Sequence, residues 1–136
     1  MDVTGGCLCG AVRYVASGVP LNSRVCHCRQ CQKAVGSAFN ARILYPGNQV
    51  RFEGSPSTAH SSEDLLRGFC VACGTSVYTH RISTNWTGVT VGSLDDPGRF
   101  QPEAHTWVCE KQPWLAICDE LPQFDRMPPA PTAPGA

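Results

Sequence analysis

Short runs of alternating apolar and polar residues, separated by glycine and proline, recur along most of this chain. Alternation with a period of two indicates strands whose side chains point in turn to a buried and an exposed face. Six such runs predict strands, at residues 11–16, 40–45, 49–54, 75–80, 87–94 and 105–110. Good helix formers ending on a glycine predict one helix at 29–36, and a single helical turn is predicted at 114–121. The pattern therefore predicts a mainly β fold.

The length of 136 residues is that of one ordinary domain. We place this domain at residues 1–125 and expect a disordered tail at 126–136, where proline and alanine dominate. Eleven basic and eleven acidic residues cancel, which counts against a nucleic-acid or anionic-membrane partner. We find neither a secretory signal nor an apolar run long enough to cross a bilayer, so we expect a cytoplasmic protein.

Nine cysteines are many for a reduced compartment, and seven of them fall in three tight clusters. The odd count and the spacings of one or two residues favour metal ligation over disulfides. The clusters are a C-x-C pair, a C-x-C-x-x-C trio and a C-x-x-C pair, formed respectively by Cys7 and Cys9, by Cys26, Cys28 and Cys31, and by Cys70 and Cys73. Cys109 and Cys118 stand alone.

Glycine placement and ligand number divide the seven clustered cysteines between two zinc ions. Both pairs end on Cys-Gly, a turn that leaves backbone N–H groups free to hydrogen-bond the sulfurs, so we assign the two pairs to one closed structural site. The trio then shares a second zinc with one corner open, which is the arrangement of catalytic zinc. Three thiolates give this zinc site a formal charge of −1, so it suits a fourth, soft thiolate better than a carbonyl or water. We therefore expect a thiol substrate.

A protein side chain is the other way to fill the fourth corner. The candidates are His27, Cys109 and Cys118. His27 is disfavoured, because alternation along an extended segment points it away from the two cysteines that flank it. A site closed by either lone cysteine would be structural rather than catalytic.

Five segments together resemble the glutathione-dependent formaldehyde-activating (GFA) family, whose wider group includes centromere protein V. They are, in chain order, GGCLCGAVRY, CHCRQCQKAVGSAF, FCVACGT, VGSLDDP and PWLAICDELPQF. The resemblance implies a β-tent fold of several small curled antiparallel sheets stapled by zinc, consistent with the β-rich pattern. It also implies a structural zinc at the two pairs and a catalytic zinc at the trio, hence two zinc ions per chain.

The activity implied by this resemblance is that of a carbon–sulfur lyase or synthase acting on glutathione adducts of the S-hydroxymethylglutathione type. Glutathione would be the co-substrate, with its sulfur at the open corner of the trio's zinc. A non-catalytic, zinc-stabilised interaction module is the alternative. Hydrolysis by a metal-bound hydroxide is disfavoured by the charge of a three-thiolate site.

Several residues are candidates for the remaining roles. A general base for the hydroxyl proton of an adduct is sought among Asp95, Asp96, His105 and Glu110. The two aspartates precede Pro-Gly, a pattern typical of a turn. The carboxylates of glutathione would be bound by basic residues, for which the candidates are Arg29, Lys33, Arg42 and Lys111. Phe39 is a candidate for the lining of the pocket.

Overall fold

The computed structural model describes residues 2–128, which form two β-sheets and one short helix. The strands are β1 (Val3–Gly6), β2 (Arg13–Ala16), β3 (Asn22–Cys26), β4 (Asn40–Pro46), β5 (Val50–Glu53), β6 (Ser57–Ser62), β7 (Leu65–Phe69), β8 (Ser76–Arg81), β9 (Trp86–Thr90) and β10 (Ala104–Thr106). Helix α1 covers Arg29–Val35, and short 3₁₀ turns cover Gly47–Gln49, Val91–Ser93, Pro97–Arg99 and Val108–Glu110. The predicted mainly β fold is confirmed.

The strands are divided between a small and a large sheet. Strands β1, β2 and β5 form an antiparallel three-stranded sheet, and the other seven form a sheet of order β10-β3-β4-β9-β8-β7-β6. Register shifts interrupt the β6–β7 and β7–β8 ladders, and such bulges bend and twist a sheet. Strand β10 pairs with β3 in parallel, whereas the other pairs of named strands are antiparallel. This departure from all-antiparallel sheets is possible because a long connection separates the two strands.

The hydrophobic core contains residues of both sheets. Its buried members include Tyr14 of β2 and Ile43 and Tyr45 of β4. The hydroxyl of Tyr14 is fully buried and lies 2.8 Å from the Oγ atom of Ser93. On β4 the residues that alternate with these core positions, Arg42 and Leu44, point to the opposite face of the sheet. One face of the large sheet is therefore left free to form a cavity.

The predicted helical turn at 114–121 is wrong, because the chain there is irregular. The segment lies between two prolines, and the residues after it run alongside β10. There the Phe124 N–H donates to the carbonyl of His105, and the His105 N–H donates to the carbonyl of Pro122, both at 2.9 Å. Strand β10 is also shorter than predicted, because Trp107 adopts a positive φ of 55° and a 3₁₀ turn follows.

The predicted tail at 126–136 falls largely outside the described residues, which end at position 128. Within residues 2–128, the seven-residue α1 and the 3₁₀ turns lack the length and hydropathy that crossing a bilayer requires of a helix.

Candidate metal centres and cavity

The first cluster joins two turns that are far apart in the chain. Its members are Cys7, Cys9, Cys70 and Cys73, whose sulfur atoms all lie within 4.8 Å of one another. The Sγ atoms of Cys9 and Cys70 are 3.7 Å apart, although 61 positions separate these residues. Cys7 and Cys70 belong to the hydrophobic core, whereas Cys9 is exposed. This four-cysteine cluster therefore links the β1–β2 turn to the β7–β8 turn.

Hydrogen-bond donors around the four-cysteine cluster favour the thiolate form of two of its sulfurs, those of Cys7 and Cys73. The N–H of Val12 donates to the Sγ of Cys7 at 3.2 Å, and this bond lowers the pKa of Cys7. Hydrogen bonds from Thr75 lower the pKa of Cys73 to about 5. The glycines that follow each pair, Gly10 and Gly74, have positive φ values of 83° and 79°, which only glycine adopts without strain. Because thiolates are the form that binds metal, these donors suit a metal site.

The second cluster, the cysteine trio, is local to the junction of β3 and α1. Its three sulfurs also lie within 4.8 Å of one another. Cys26 ends β3, and Cys28 is the N-cap of α1, its Sγ accepting a hydrogen bond from the N–H of Cys31 at 3.2 Å. The Sγ atoms of Cys31 and Cys26 are 3.6 Å apart. Hydrogen bonding with the side chains of Cys26 and Cys28, helped by Arg67, lowers the pKa of Cys31 to about 2.

None of the three candidates for the fourth corner lies with the trio. Across residues 2–128, no further Cys, His, Asp or Glu belongs to the group close enough to share a metal with it. His27 is buried on the other side of β3, where its Nε2 atom is 2.9 Å from Nδ1 of His105. Cys109 is exposed and its thiol donates to the carbonyl of Asp125 at 2.9 Å. Cys118 is exposed beside a different cavity.

His27 is the first of three hydrogen-bonded polar side chains, of which the two histidines are buried and Asp119 is exposed. His105 is the second of these side chains, and its Nε2 atom lies 2.7 Å from a carboxylate oxygen of Asp119. Burial lowers the pKa of His27 to about 4, so its imidazole is neutral at pH 7. The ring also packs against Phe39, with 5.6 Å between ring centroids. These residues line a second, apolar cavity of about 360 Å³, on the face of β3 opposite the trio.

The trio lies in the wall of a cavity of about 450 Å³, on the free face of the large sheet. Four arginines from four different strands line this cavity, namely Arg24 of β3, Arg42 of β4, Arg67 of β7 and Arg81 of β8. Among the described lining residues, Glu110 is the only carboxylate. The cavity is therefore strongly cationic and suited to an anionic ligand.

Strand pairing brings the arginines together. Arg24 and Arg42 are directly opposite on β3 and β4, a like-charge pair that repels in the absence of an anion. Burial lowers the pKa of both guanidiniums. The Nη1 atom of Arg42 donates to the Oδ1 atom of Asn22 at 3.1 Å. A Cβ atom at Gly88 would lie 3.0 Å from Cδ of Arg42, so this glycine gives the arginine its space.

Of the basic residues predicted to bind glutathione, Arg42 alone lines this cavity in the described structure. Arg29 hydrogen-bonds the side chain of Gln32, Lys33 is exposed on α1, and Lys111 donates to the carbonyl of Leu115 at 2.7 Å. The other three cavity arginines were not predicted. Arg24 could have been found, because it lies two residues before Cys26 on a strand and so shares its face.

The candidate bases are also separated by the fold. Asp95 pairs with Arg13 and the hydroxyl of Thr4, and Asp96 caps the 3₁₀ turn at Gly98. His105 lies on the opposite face of the sheet, hydrogen-bonded to His27. Glu110 lines the cavity, and its Oε1 atom accepts the backbone N–H of Arg29 at 2.8 Å. Glu110 is therefore the candidate that the structure brings near the trio.

Two cysteine clusters on a small β fold, one of them facing a cationic cavity, define a class of protein able to bind metal at each cluster. The sequence model of the GFA family, described as glutathione-dependent formaldehyde-activating enzyme, matches residues 2–110, and the chain belongs to this family. A crystal structure of a Rhodobacter sphaeroides protein is similar, with a TM-score of 0.55 and 25% identity over 68% of this chain and 87% of that chain. No curated protein matches the chain.

Proposed function

We propose that this protein is a zinc-dependent carbon–sulfur lyase or synthase acting on glutathione adducts of the S-hydroxymethylglutathione type. The observation that carries the proposal is the position of the cysteine trio in the wall of the arginine-lined cavity. A cluster with three protein sulfurs has room for one ligand sulfur, and the cavity beside it favours anions. The family to which the chain belongs is named for glutathione dependence, which supplies the thiol.

The two clusters suit two zinc ions per chain. Seven sulfurs grouped as four and three match the donor sets of a closed and an open zinc site. We assign the structural zinc to the four-cysteine cluster and the catalytic zinc to the trio. With zinc bound, the trio would lower the pKa of an added thiol and hold it as the thiolate.

The charge of the cavity complements glutathione. Four guanidiniums face the single carboxylate of Glu110 and a trio that carries a formal charge of −1 when loaded with zinc. Among the lining residues two positive charges therefore remain in excess, although one of the four guanidiniums, that of Arg81, also contacts Asp64 outside the lining. Glutathione with an ionised thiol has two carboxylates, one ammonium group and one thiolate, and so carries about two negative charges. We assign Arg24, Arg42 and Arg81 to the carboxylates of glutathione, and Glu110 to the proton of the reacting hydroxyl group.

Cleavage of an adduct then needs one proton transfer. Glu110 would take the proton of the adduct's hydroxyl group, whose oxygen forms the carbonyl bond while the C–S electron pair leaves with sulfur. The products are a carbonyl compound and the thiolate of glutathione. The reverse reaction adds the thiolate to the carbonyl carbon and returns the proton to oxygen.

X-ray absorption with zinc counting, with and without glutathione, tests the proposal. We expect two zinc ions per chain, one bound by four sulfurs throughout and one whose sulfur number rises from three to four when glutathione is added. Two four-sulfur sites before addition would contradict the open corner. A matched Cys28→Ser variant should lose only the zinc that responds to glutathione.

The alternative, a non-catalytic zinc-stabilised interaction module, has one observation in its favour. Leu8 and Val71 lie on the two turns of the four-cysteine cluster, and their apolar side chains are 88% and 70% exposed. Exposed apolar side chains are common on proteins, and two of them make a small patch. Failure of glutathione to change the sulfur number at either zinc would favour this alternative.

A further inference from the structure

Arg67 is a buried arginine whose hydrogen-bonding capacity is largely unused. Arg67 lies in the wall of the cavity and is only 7% exposed. The Nη2 atom donates to the Sγ of Cys31 at 3.5 Å. The Nε and Nη1 atoms are buried and have no hydrogen-bond partner among the described residues. Unpaired buried donors are costly, above all on a charged group, so these N–H groups are suited to a ligand.

The position of Arg67 is fixed by the sheet. It lies in the middle of β7, opposite Ala59 of β6 on one side and Thr79 of β8 on the other. Backbone pairing on both sides holds the Cα atom, so the guanidinium is presented to the cavity from a rigid strand. Arg81, by contrast, lies at the exposed end of β8 and has a carboxylate partner in Asp64, at 3.3 Å. Arg67 has no such carboxylate among its described contacts.

Arg67 also differs from the other cavity arginines in its direct contact with the trio. Of the four, it alone hydrogen-bonds a sulfur of the trio within the part of the chain that the structure describes. A thiol that joins the trio brings its sulfur into contact with Cys31. An oxygen on the carbon next to that sulfur is then within reach of Arg67. The two carboxylates of glutathione are several bonds further from the sulfur, so we assign them to the other cavity arginines.

Building on the proposed function, we propose that Arg67 is a catalytic residue that binds the oxygen atom of the carbon that forms or breaks the bond to sulfur. In the addition direction, the thiolate sulfur attacks the carbonyl carbon, the C–S bond forms, and the electron pair of the C=O double bond moves to oxygen. The N–H groups of Arg67 stabilise this oxyanion until Glu110 protonates it. In the cleavage direction the same donors stabilise the alkoxide before the C–S bond breaks.

This role makes the site selective for electrophiles that carry an oxygen. A carbonyl compound presents an oxygen to the unpaired donors of Arg67, whereas a thioether adduct without one leaves them unpaired and buried. Removing one donor from an oxyanion site lowers kcat by about 100- to 1,000-fold in enzymes that depend on it. The same donors should bind a stable small oxyanion when no electrophile is present.

Formate, the simplest carboxylate, is the probe for this site. Isothermal titration calorimetry of the zinc-loaded protein would measure formate binding in the presence and absence of saturating glutathione. We expect wild type to bind one formate beside glutathione, and Arg67→Gln to bind it at least about ten-fold more weakly. Arg67→Lys should retain part of the formate affinity, because it keeps the charge without the planar fork of donors.

Arg81→Gln is the matched control, because it removes another cavity arginine that lies at the exposed end of its strand. We expect it to weaken glutathione and to leave formate binding within about two-fold of wild type, whereas Arg67→Gln should do the reverse. A zinc count on every variant distinguishes loss of the ligand site from loss of the metal. Partial rescue of formate binding by Arg67→Lys, at full zinc content, would exclude a purely structural role.

Equal formate affinity in wild type and Arg67→Gln would overturn the inference, as would an Arg67→Gln variant that loses glutathione and keeps formate. If glutathione does not bind wild type at all, the proposed function fails separately. Formate binding that is lost only in Arg67→Gln would then still support an oxyanion site at Arg67. Absence of formate binding by wild type under both conditions would reject that site.

Discussion

Replacing Cys73 with serine should destabilise this protein far more than an equivalent change in the trio. The change removes one of four sulfurs that join the β1–β2 turn to the β7–β8 turn, and we expect it to abolish zinc binding there. Zinc binding contributes on the order of 10 kcal/mol to folding in small zinc modules, which sets an upper limit on the free energy of unfolding that the variant loses.

The span of the cross-link gives a lower estimate of the free energy of unfolding that Cys73→Ser loses. Cys9 and Cys70, whose sulfurs are 3.7 Å apart, are separated by 61 positions. A cross-link of that span stabilises the fold by about 4 kcal/mol, because it lowers the conformational entropy of the unfolded chain. A cross-link between Cys26 and Cys31, which are five positions apart, would stabilise the fold by about 2 kcal/mol. For a domain of this size, a loss of 4 kcal/mol lowers Tm by about 10 °C or more.

Cys28→Ser is the matched control for this comparison. Cys28 and Cys73 are both partly buried, and serine at position 28 can still cap α1 through its hydroxyl group. Thermal unfolding followed by circular dichroism, with zinc counted for each variant, should give a clearly lower Tm for Cys73→Ser than for Cys28→Ser. Equal shifts in Tm would refute the assignment of the four-cysteine cluster to folding and of the trio to ligand binding.

Three further substitutions test other parts of the structure. Tyr14→Phe removes the buried hydrogen bond to Ser93 and should lower the free energy of unfolding in urea by about 1 kcal/mol; no change would mean that the bond contributes nothing. Hydrogen bonds from Arg13 hold the pKa of Asp95 at about 2, below its unfolded value of about 4. This pair therefore stabilises the fold above pH 4, and the stabilisation is lost as pH falls towards 2. Because both side chains are exposed, Asp95→Asn should cost less than about 1 kcal/mol at pH 7, and the difference from wild type should shrink in acid; a difference that grows in acid would contradict this sign. His27→Gln should keep two zinc ions per chain by metal analysis, whereas loss of one would make the imidazole a ligand.

Features with a local signal in the sequence were predicted well. The helix predicted at 29–36 is observed at Arg29–Val35, and Gly36 ends it with a positive φ of 66°. The strand predicted at 40–45 is observed at Asn40–Pro46. In each case the pattern and the residue that ends the element lie within a few positions. The trio is equally local, since six consecutive residues contain all three sulfurs.

Features that depend on pairing between distant segments were not predicted. Strand β6, with the sequence STAHSS, is mostly exposed at the edge of the large sheet, so it shows no apolar alternation. The parallel pairing of β10 with β3 has no signature within either strand. The cavity arginines are far apart in the sequence. Arg67 and Arg81 share a cavity with the trio only because of the order of the strands in the sheet. The grouping of the two cysteine pairs is the exception, because each pair ends on Cys-Gly and the two together supply the four sulfurs of a closed zinc site.

The alternation of side chains along β3 separates two kinds of sequence change. Arg24 and Cys26 of β3 face the arginine-lined cavity. Val25 of β3 and His27, the residue after the strand ends, face the apolar cavity on the other side. A library that randomises Arg24 and keeps Cys26 would vary ligand choice while sparing the trio and the packing on the other face of the strand. A deletion of one residue would exchange the two sets and place an imidazole where a thiol is required. Directed evolution of this protein is therefore expected to tolerate substitutions at Arg24 more readily than at Cys26, and to reject changes in the length of β3.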